Sequence, residues 1–319
     1  MLPGGKGFRE GVLEAVPEVA RLARLHVRAP FALDSSSLAP SHWAELAGIL
    51  AEERDRHDGF VVTHGTDTMA YTAAALSFML PGFGKPIILT GAQRPLAEIR
   101  TDARSNLVDA VEVATRKLPE VAIVFGGAVL RGNRARKRSL EGYRAFESPN
   151  YPLLGEVGTE LLLNESAIRR VEDDASFGLV TDHDPHVLHI RLAPGMHGSS
   201  LEGLDTRRTR GVVLQAFGAG NVPLREGREA FPLERLRDAG VPVLILGGSE
   251  HGTANLRLYE GGRRAADLGA VSARDMTAEA AVVKMMCALG RAKSPDAVRA
   301  LLSEDWAGEI TPEEDAPVA

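Results

Sequence analysis

The chain has 319 residues, 44% of them hydrophobic and 25% charged, with a formal net charge of −6. That is ordinary for a soluble globular protein with more than one core, and the acidic balance, with a pI of about 5.9, argues against a nucleic-acid binder. No apolar stretch approaches the ~20 residues of a membrane span, residues 1–8 show no signal-peptide core, and the single cysteine, Cys287, excludes an intrachain disulfide, so a cytoplasmic protein is expected.

From residue 25 the pattern alternates strand and helix. Residues 25–33 read as a strand. Pro40 suits a first helical position, where its missing N–H costs nothing, and Trp43, Leu46, Ala47 and Leu50 follow at helical spacing. Residues 59–63 form a short apolar run of strand type. Residues 67–80 read as a helix apolar all round, hence buried. Residues 86–90 are the next strand, 106–117 a helix with Leu107, Ala110, Val111 and Ala114 on one face, and 121–125 another strand. Short apolar strands alternating with helices imply βαβ units and a parallel sheet.

The expected architecture is therefore α/β, with a larger parallel-sheet domain over residues 1–175, a polar linker over 176–186 and a smaller α/β domain over 187–319. Residues 187–192, 211–215 and 242–246 are strands of the second domain. A helix over 277–289 closes at Gly290, and another opens with Ser294 as N-cap and Pro295 at the first position. Cys287, inside the apolar run Val282-Val283-Lys284-Met285-Met286, reads as a buried core thiol. The linker cluster Asp182-His183-Asp184-Pro185-His186 matches no helix-borne zinc spacing and reads as a solvated connection.

Ligands of open parallel sheets bind beyond the carboxyl ends of the strands, which singles out three segments. In Thr63-His64-Gly65-Thr66-Asp67-Thr68, Gly65 permits a tight turn, and Thr66 and Asp67 fall at the N-cap and first turn of the buried helix. A hydroxyl, a carboxylate and free N–H groups then converge, although capping alone would account for the same residues. The second segment is Thr90-Gly91-Ala92-Gln93-Arg94-Pro95, followed by Thr101-Asp102-Ala103-Arg104-Ser105-Asn106. The third is the basic run containing Arg131, Arg134, Arg136, Lys137 and Arg138. It reads either as a solvated face or as the source of a lysine that reaches the rim beside Asp67. It is short and lacks interleaved aromatics, which disfavours a nucleic-acid role.

His64-Gly65-Thr66-Asp67-Thr68-Met69 resembles the signature of the bacterial-type asparaginase/glutaminase family. Asp34-Ser35-Ser36 before it, the Thr90 to Pro95 segment, residues 131–137, Glu147-Ser148-Pro149-Asn150-Tyr151-Pro152 and Gly218-Ala219-Gly220-Asn221 resemble further family motifs in the family's order. The similarity is greatest to the cytoplasmic type I branch. It implies deamidation of L-asparagine, with some activity on L-glutamine, through an acyl-enzyme, without metal or organic cofactor. Thr66, Lys137 and Asp67 resemble the family's Thr-Lys-Asp triad. The resemblance further implies that Asp67 binds the substrate α-amino group, that Ser35, with Ser36 beside it, holds the α-carboxylate, that Gly65 belongs to the binding turn, and that the Ala92 carbonyl faces the amide. Asn221 would reach a neighbouring subunit's site, implying a homodimer or homotetramer. A transfer-RNA amidotransferase component is the alternative enzyme reading, disfavoured by the pI.

One family feature differs. The family opens with a strand ending in Thr-Gly-Gly-Thr-Ile, whose threonine is the primary nucleophile, and a lid tyrosine follows. Residues 1–6, Met-Leu-Pro-Gly-Gly-Lys, contain no threonine, Phe8 offers no phenol, and the first tyrosine is Tyr71. The expectation is a first strand missing from this sequence, carried by roughly 20–30 further residues of the natural protein. The alternatives are a catalytically silent amino-acid-binding relative and a site that uses Thr66 itself as nucleophile.

Overall fold

The computed structural model describes residues 11, 14–170, 176–196, 198–201, 203–224 and 231–312. The opening residues 1–6 and Phe8, compared above with the family's first strand, lie outside them. The chain divides into two compact units, Met1–Thr181 and Asp182–Ala319. Among the described residues no helix is long and apolar enough to cross a membrane.

In the first unit the order is α1 (Val19–Leu22), α2 (Pro40–Glu53), β1 (Phe60–Thr63), α3 (Met69–Met79), β2 (Ile87–Thr90), α4 (Ala103–Ala114), β3 (Val121–Phe125), β4 (Ala128–Arg131), β5 (Arg136–Lys137), β6 (Phe146–Glu147), β7 (Gly155–Val157) and β8 (Leu161–Leu163). Its main sheet has the order β1-β2-β3-β4-β7-β8. The first three strands are parallel, as the βαβ pattern predicts, and the remaining pairings are antiparallel. The sheet is therefore mixed. The reversal comes at the tight turn Gly126-Gly127, where both glycines have positive φ and return the chain directly onto β3. Every residue of β2 and β3 is buried, which explains their continuous apolar runs.

Other expectations need correction. Residues 25–33 join no ladder among the described strands. They alternate half-buried and exposed positions up to Arg28, as extended chain does, and are then mostly exposed. Helix α3 starts at Met69 rather than at residue 67, so Thr66 and Asp67 sit in the turn before it, and Thr68 takes the N-cap position. Helix α4 starts at Ala103, ahead of the expected residue 106.

The second unit carries a four-stranded, wholly parallel sheet in the order β12-β11-β10-β9, formed by β9 (Val187–Arg191), β10 (Gly211–Gln215), β11 (Val243–Leu246) and β12 (Val271–Ser272). Its helices are α5 (Leu233–Asp238), α6 (Glu260–Asp267), α7 (Ala278–Arg291) and α8 (Pro295–Ser303). Ser294 caps α8 through the Ala297 N–H, with Pro295 at the first position, and Thr277 caps α7 through Ala280. Gly290 does not end α7. A Cβ there would lie 2.3 Å from the His183 nitrogen, so the glycine serves a close approach of the chain. Cys287 is buried, and burial pushes its thiol up to about 11, far from a thiolate nucleophile. At the start of the second unit, Asp184 pairs with the His186 ring at 2.6 Å and with Arg210 at 3.6 Å.

Lys284 is buried in α7. Its ammonium lies 2.7 Å from Glu309, and both side chains are fully buried. Burial raises the Glu309 carboxyl, but Lys284 and the N–H groups of Trp306 and Ala307 outweigh it and hold the group below its usual range. Removing one partner of such a pair leaves an uncompensated buried charge and costs about 3–5 kcal/mol. Lys284→Met should lose stability of that order in urea denaturation, whereas Arg237→Met, at an exposed pair, should change it by under ~1 kcal/mol.

Candidate active site

β1 and β2 run side by side in register, with Thr63 opposite Thr90, and the His64 N–H extends the ladder to the Thr90 carbonyl at 2.8 Å. Two turns therefore leave the sheet from adjacent carboxyl ends, where open parallel sheets bind ligands. The turns must also pass close to their neighbours. A Cβ on Gly65 would meet Ser35 Oγ at 2.6 Å, and one on Gly91 would meet the His64 carbonyl at 2.2 Å. Glycine is required at both places by space.

Ser35 is buried against Gly65, and its carbonyl accepts a hydrogen bond from Thr68 Oγ1 at 2.8 Å. Ser36 is tied to Asp34, whose Oδ1 accepts from the Ser36 N–H at 2.8 Å and from Ser36 Oγ at 2.6 Å. The two serines thus differ. Ser35 belongs to the turn at the strand end, whereas the exposed Ser36 completes a local Asx turn.

Lys137 closes the cluster. Its Nζ donates to Thr66 Oγ1 at 2.7 Å and to Asp67 Oδ1 at 2.7 Å. The lysine side chain is 15% exposed and the aspartate 65%, so the amine is enclosed while the carboxylate faces solvent. Gly132 lies against Val121 at the start of β3. A single 3-10 turn, Gly132–Arg134, follows, and the chain then runs on through β5 to Lys137.

The five basic residues do not form one solvated face. Arg131 and Arg134 are buried. Arg131 pairs with Glu120, donates to the Ala167 carbonyl at 2.9 Å and lies over the Tyr151 ring, as does Arg134. Arg138 alone of the five is strongly exposed in its pairing with Glu147. The run is read in pieces: two arginines brace the fold, and one lysine serves the rim.

Other side chains that hold the rim lie in the second segment singled out above, but their individual parts are not marked in the sequence. Thr66 Oγ1 also contacts Gln93 Oε1 at 3.4 Å, and the Gln93 amide donates to the carbonyls of Ser139 and Gly142. The carboxylate of buried Asp102 accepts from the Gln93 and Arg94 N–H groups at 3.0 Å and from Asn106 Nδ2 at 3.1 Å. Asn106 Nδ2 also donates to the Gly91 carbonyl at 2.9 Å, and Asn106 Oδ1 accepts from the Gly126 N–H at 3.0 Å. The backbone on both sides of Ala92 is thereby clamped. Asp102 occupies the N-cap position of α4 without capping it. In sequence it looks like an ordinary cap, which hides its reach to the other loop.

His64 is a further residue whose part emerges only from the fold. Its Nδ1 lies 2.7 Å from the Gly65 carbonyl, which can only accept, and its Nε2 lies 2.9 Å from Thr72 Oγ1. The network therefore selects the Nδ1–H tautomer, with Nε2 accepting from Thr72. Burial pushes His64 below its ordinary range, opposed by the bond to Gly65.

Asn221 lies in the second unit, where its N–H donates to the Phe217 carbonyl at 2.7 Å and its carbonyl accepts from the Phe217 N–H at 3.1 Å. The Thr66 cluster offers one carboxylate already facing an amine, a poor ligand set for a cation. What it offers instead is a hydroxyl in contact with an amine, the pairing that proton transfer to or from an attacking oxygen requires.

A family model described as "Asparaginase, N-terminal" matches residues 6–169, and one described as "Glutaminase/Asparaginase C-terminal domain" matches residues 186–302. Fold and sequence thus define a two-unit α/β protein whose relatives are amidohydrolases. L-asparaginase of Thermococcus kodakarensis is 36% identical over 289 residues, 91% of this chain and 87% of that protein. A solved structure of that enzyme superposes with a TM-score of 0.86, covering 95% of this chain and 92% of the other. L-asparaginase 1 of Escherichia coli is 35% identical over 286 residues, 88% of this chain and 83% of that protein. A component of the glutamyl-tRNA(Gln) amidotransferase of Pyrococcus horikoshii is 33% identical over 315 residues, 95% of this chain and 70% of that protein. The chain belongs to the asparaginase family.

The His64 network makes a pH-dependent contribution. A histidine whose pKa is lower folded than unfolded binds more protons unfolded, so its contribution is complete above the unfolded value of about 6.5 and is lost as pH falls below it. Urea titrations between about pH 8 and pH 5 should show the wild type losing stability more steeply than His64→Gln. Equal slopes would mean that His64 does not couple protonation to folding.

Proposed function

We propose that the protein is an L-asparaginase, hydrolysing L-asparagine to L-aspartate and ammonia through an acyl-enzyme, with Thr66, Lys137 and Asp67 as its proton-handling group. The observation that carries this is the contact of Lys137 Nζ with both Thr66 Oγ1 and Asp67 Oδ1. Two relatives with high mutual coverage are named L-asparaginases. The acidic pI of about 5.9 favours a small-molecule amide over a transfer-RNA substrate.

The chemistry follows from the contacts. A hydroxyl attacks the side-chain amide carbon, its proton passes by way of the Lys137 amine, and that proton then leaves with the nitrogen as ammonia. Water hydrolyses the ester by the same route in reverse. At 2.7 Å the amine and Thr66 hydroxyl can exchange donor and acceptor roles without moving. The competing Gln93 contact, at 3.4 Å, is long for an O–H···O bond and does not hold the proton away. Asp67 keeps the amine in place and presents an exposed carboxylate to the substrate α-amino group. Ser35, with Ser36 beside it, holds the α-carboxylate at the Gly65 turn, and the Ala92 carbonyl faces the amide. Asn221 contributes to a neighbouring subunit's site in a cytoplasmic homodimer or homotetramer. One methylene separates asparagine from glutamine and is worth only ~1–3 kcal/mol of discrimination, so some glutamine turnover accompanies the main reaction.

In the family resemblance the attacking threonine comes from the Thr-Gly-Gly-Thr-Ile strand, and the test separates that source from Thr66. Ammonia release from asparagine and glutamine is measured for the 319-residue chain and for a version extended with the upstream reading frame. Whichever form turns over, Lys137→Met should lower kcat by about 10²–10⁴, the usual contribution of a positioned general base. Turnover unchanged by Thr66→Ala would remove Thr66 from the mechanism. Calorimetric binding of asparagine with no ammonia from either form would make the protein a binding relative and overturn the proposal.

A further inference from the structure

His26, Glu53 and His57 take no part in the site above. Their ligand atoms all lie within 4.8 Å of one another. Glu53 ends α2, His57 follows four residues later, and His26 comes from the extended segment before the helix. From this convergence we propose a second, metal-binding site, a two-histidine, one-carboxylate centre for a zinc ion.

The distances suit that ion. Zinc bonds of about 2.0–2.2 Å at tetrahedral angles place two ligand atoms about 3.4 Å apart. His57 Nε2 and Glu53 Oε2 are 3.5 Å apart. The exposed His26 ring lies stacked on His57, 5.4 Å between centroids, and would turn off that stack to aim a nitrogen at the ion, with water at the fourth position. Two imidazoles and one carboxylate are the donor types that favour zinc over calcium or magnesium.

The site is also held in advance. Lys85 Nζ donates to the His57 carbonyl at 2.7 Å and to the Arg54 carbonyl at 2.6 Å, fixing the chain where the helix ends. The His57 ring packs edge-on against Phe60 with 5.8 Å between centroids. The Glu53 side chain is 12% exposed. Arg28 donates to Glu53 Oε1 at 2.9 Å, which leaves Oε2 facing His57. A ligating carboxylate is ordinarily held by such an outer partner. Arg56, 73% exposed and 3.4 Å from the carboxylate, is the competing cation and is free to swing into solvent.

The test uses the whole chain after chelator treatment and dialysis, with zinc chloride as titrant in calorimetry and in thermal melts. The expected result is one zinc per chain with Kd on the order of 1 μM or tighter, and a melting temperature that rises with zinc. His57→Ala should weaken binding at least about tenfold, and the His26→Ala/His57→Ala pair should abolish both the heat and the thermal shift. If the pair does not fold, Glu53→Gln, which keeps an oxygen for Arg28, replaces it and should weaken binding likewise. No binding by the wild type, or undiminished binding by a folded variant, overturns the site. Neither readout involves amide hydrolysis, so the outcome is independent of the asparaginase reading.

Discussion

Everything at the rim depends on one amine group shared between a hydroxyl and a carboxylate that lie some seventy positions away in sequence. Such a contact is not stabilised by proximity along the chain, and an ion pair with a solvent-facing carboxylate contributes little by itself. It is maintained by what surrounds it. β5 pairs with β6, Lys137 opposite Phe146, and the buried Phe146 ring lies 5.2 Å from Phe125 at the end of β3. The lysine is thus carried on a short hairpin whose neighbour is anchored to the end of the central strand.

The opposite side of the cluster is built by exclusion of volume. Gly65 brings the β1 turn against Ser35, and Gly91 brings the β2 turn against the His64 carbonyl. Two loops at adjacent strand ends are thereby pressed close enough for Thr66 to contact Gln93. The Asp102 carboxylate then satisfies backbone N–H groups that a tight loop leaves without ladder partners, a cost of ~1–3 kcal/mol each if left unmade. Polar satisfaction and close packing here act on the same few residues, so these turns are tied to their neighbours although they belong to no helix or strand.

Much of this was legible in the sequence, for physical reasons that differ by element. The strands β2 and β3 declare themselves because strands covered on both faces require continuous apolar runs, and β1, half-buried at the sheet edge, carries a similar apolar run. Ser294 with Pro295 marks a helix start because both act on the first turn locally. Thr66, Lys137 and Asp67 stand out through motifs that resemble the family's in a fixed order, and the fold brings the three into contact. What was hidden depended on distant partners. Residues 25–33 have strand composition but find no edge to pair with among the described strands. Gly290 looks like a helix terminator and instead makes room for another segment. Asp102 has the residue type and position of a cap, and only the fold shows its carboxylate turned toward Gln93 and Arg94.

The basic run between Arg131 and Arg138 shows the same limit most clearly. Five like charges in eight positions suggest repulsion and solvent, yet the chain distributes them between environments. Arg131 enters a buried pair with Glu120 backed by Tyr151, where planar guanidinium groups can both ion-pair and stack. Lys137, a flexible point charge, reaches the Thr66 hydroxyl, where the proposed reaction moves a proton. The choice of arginine for the brace and lysine for the rim is therefore chemical. A guanidinium does not deprotonate in a protein and so could not take the base role proposed for Lys137 beside Thr66, whereas an amine at the Glu120 site could not hold the carboxylate bidentately while lying flat on the Tyr151 ring.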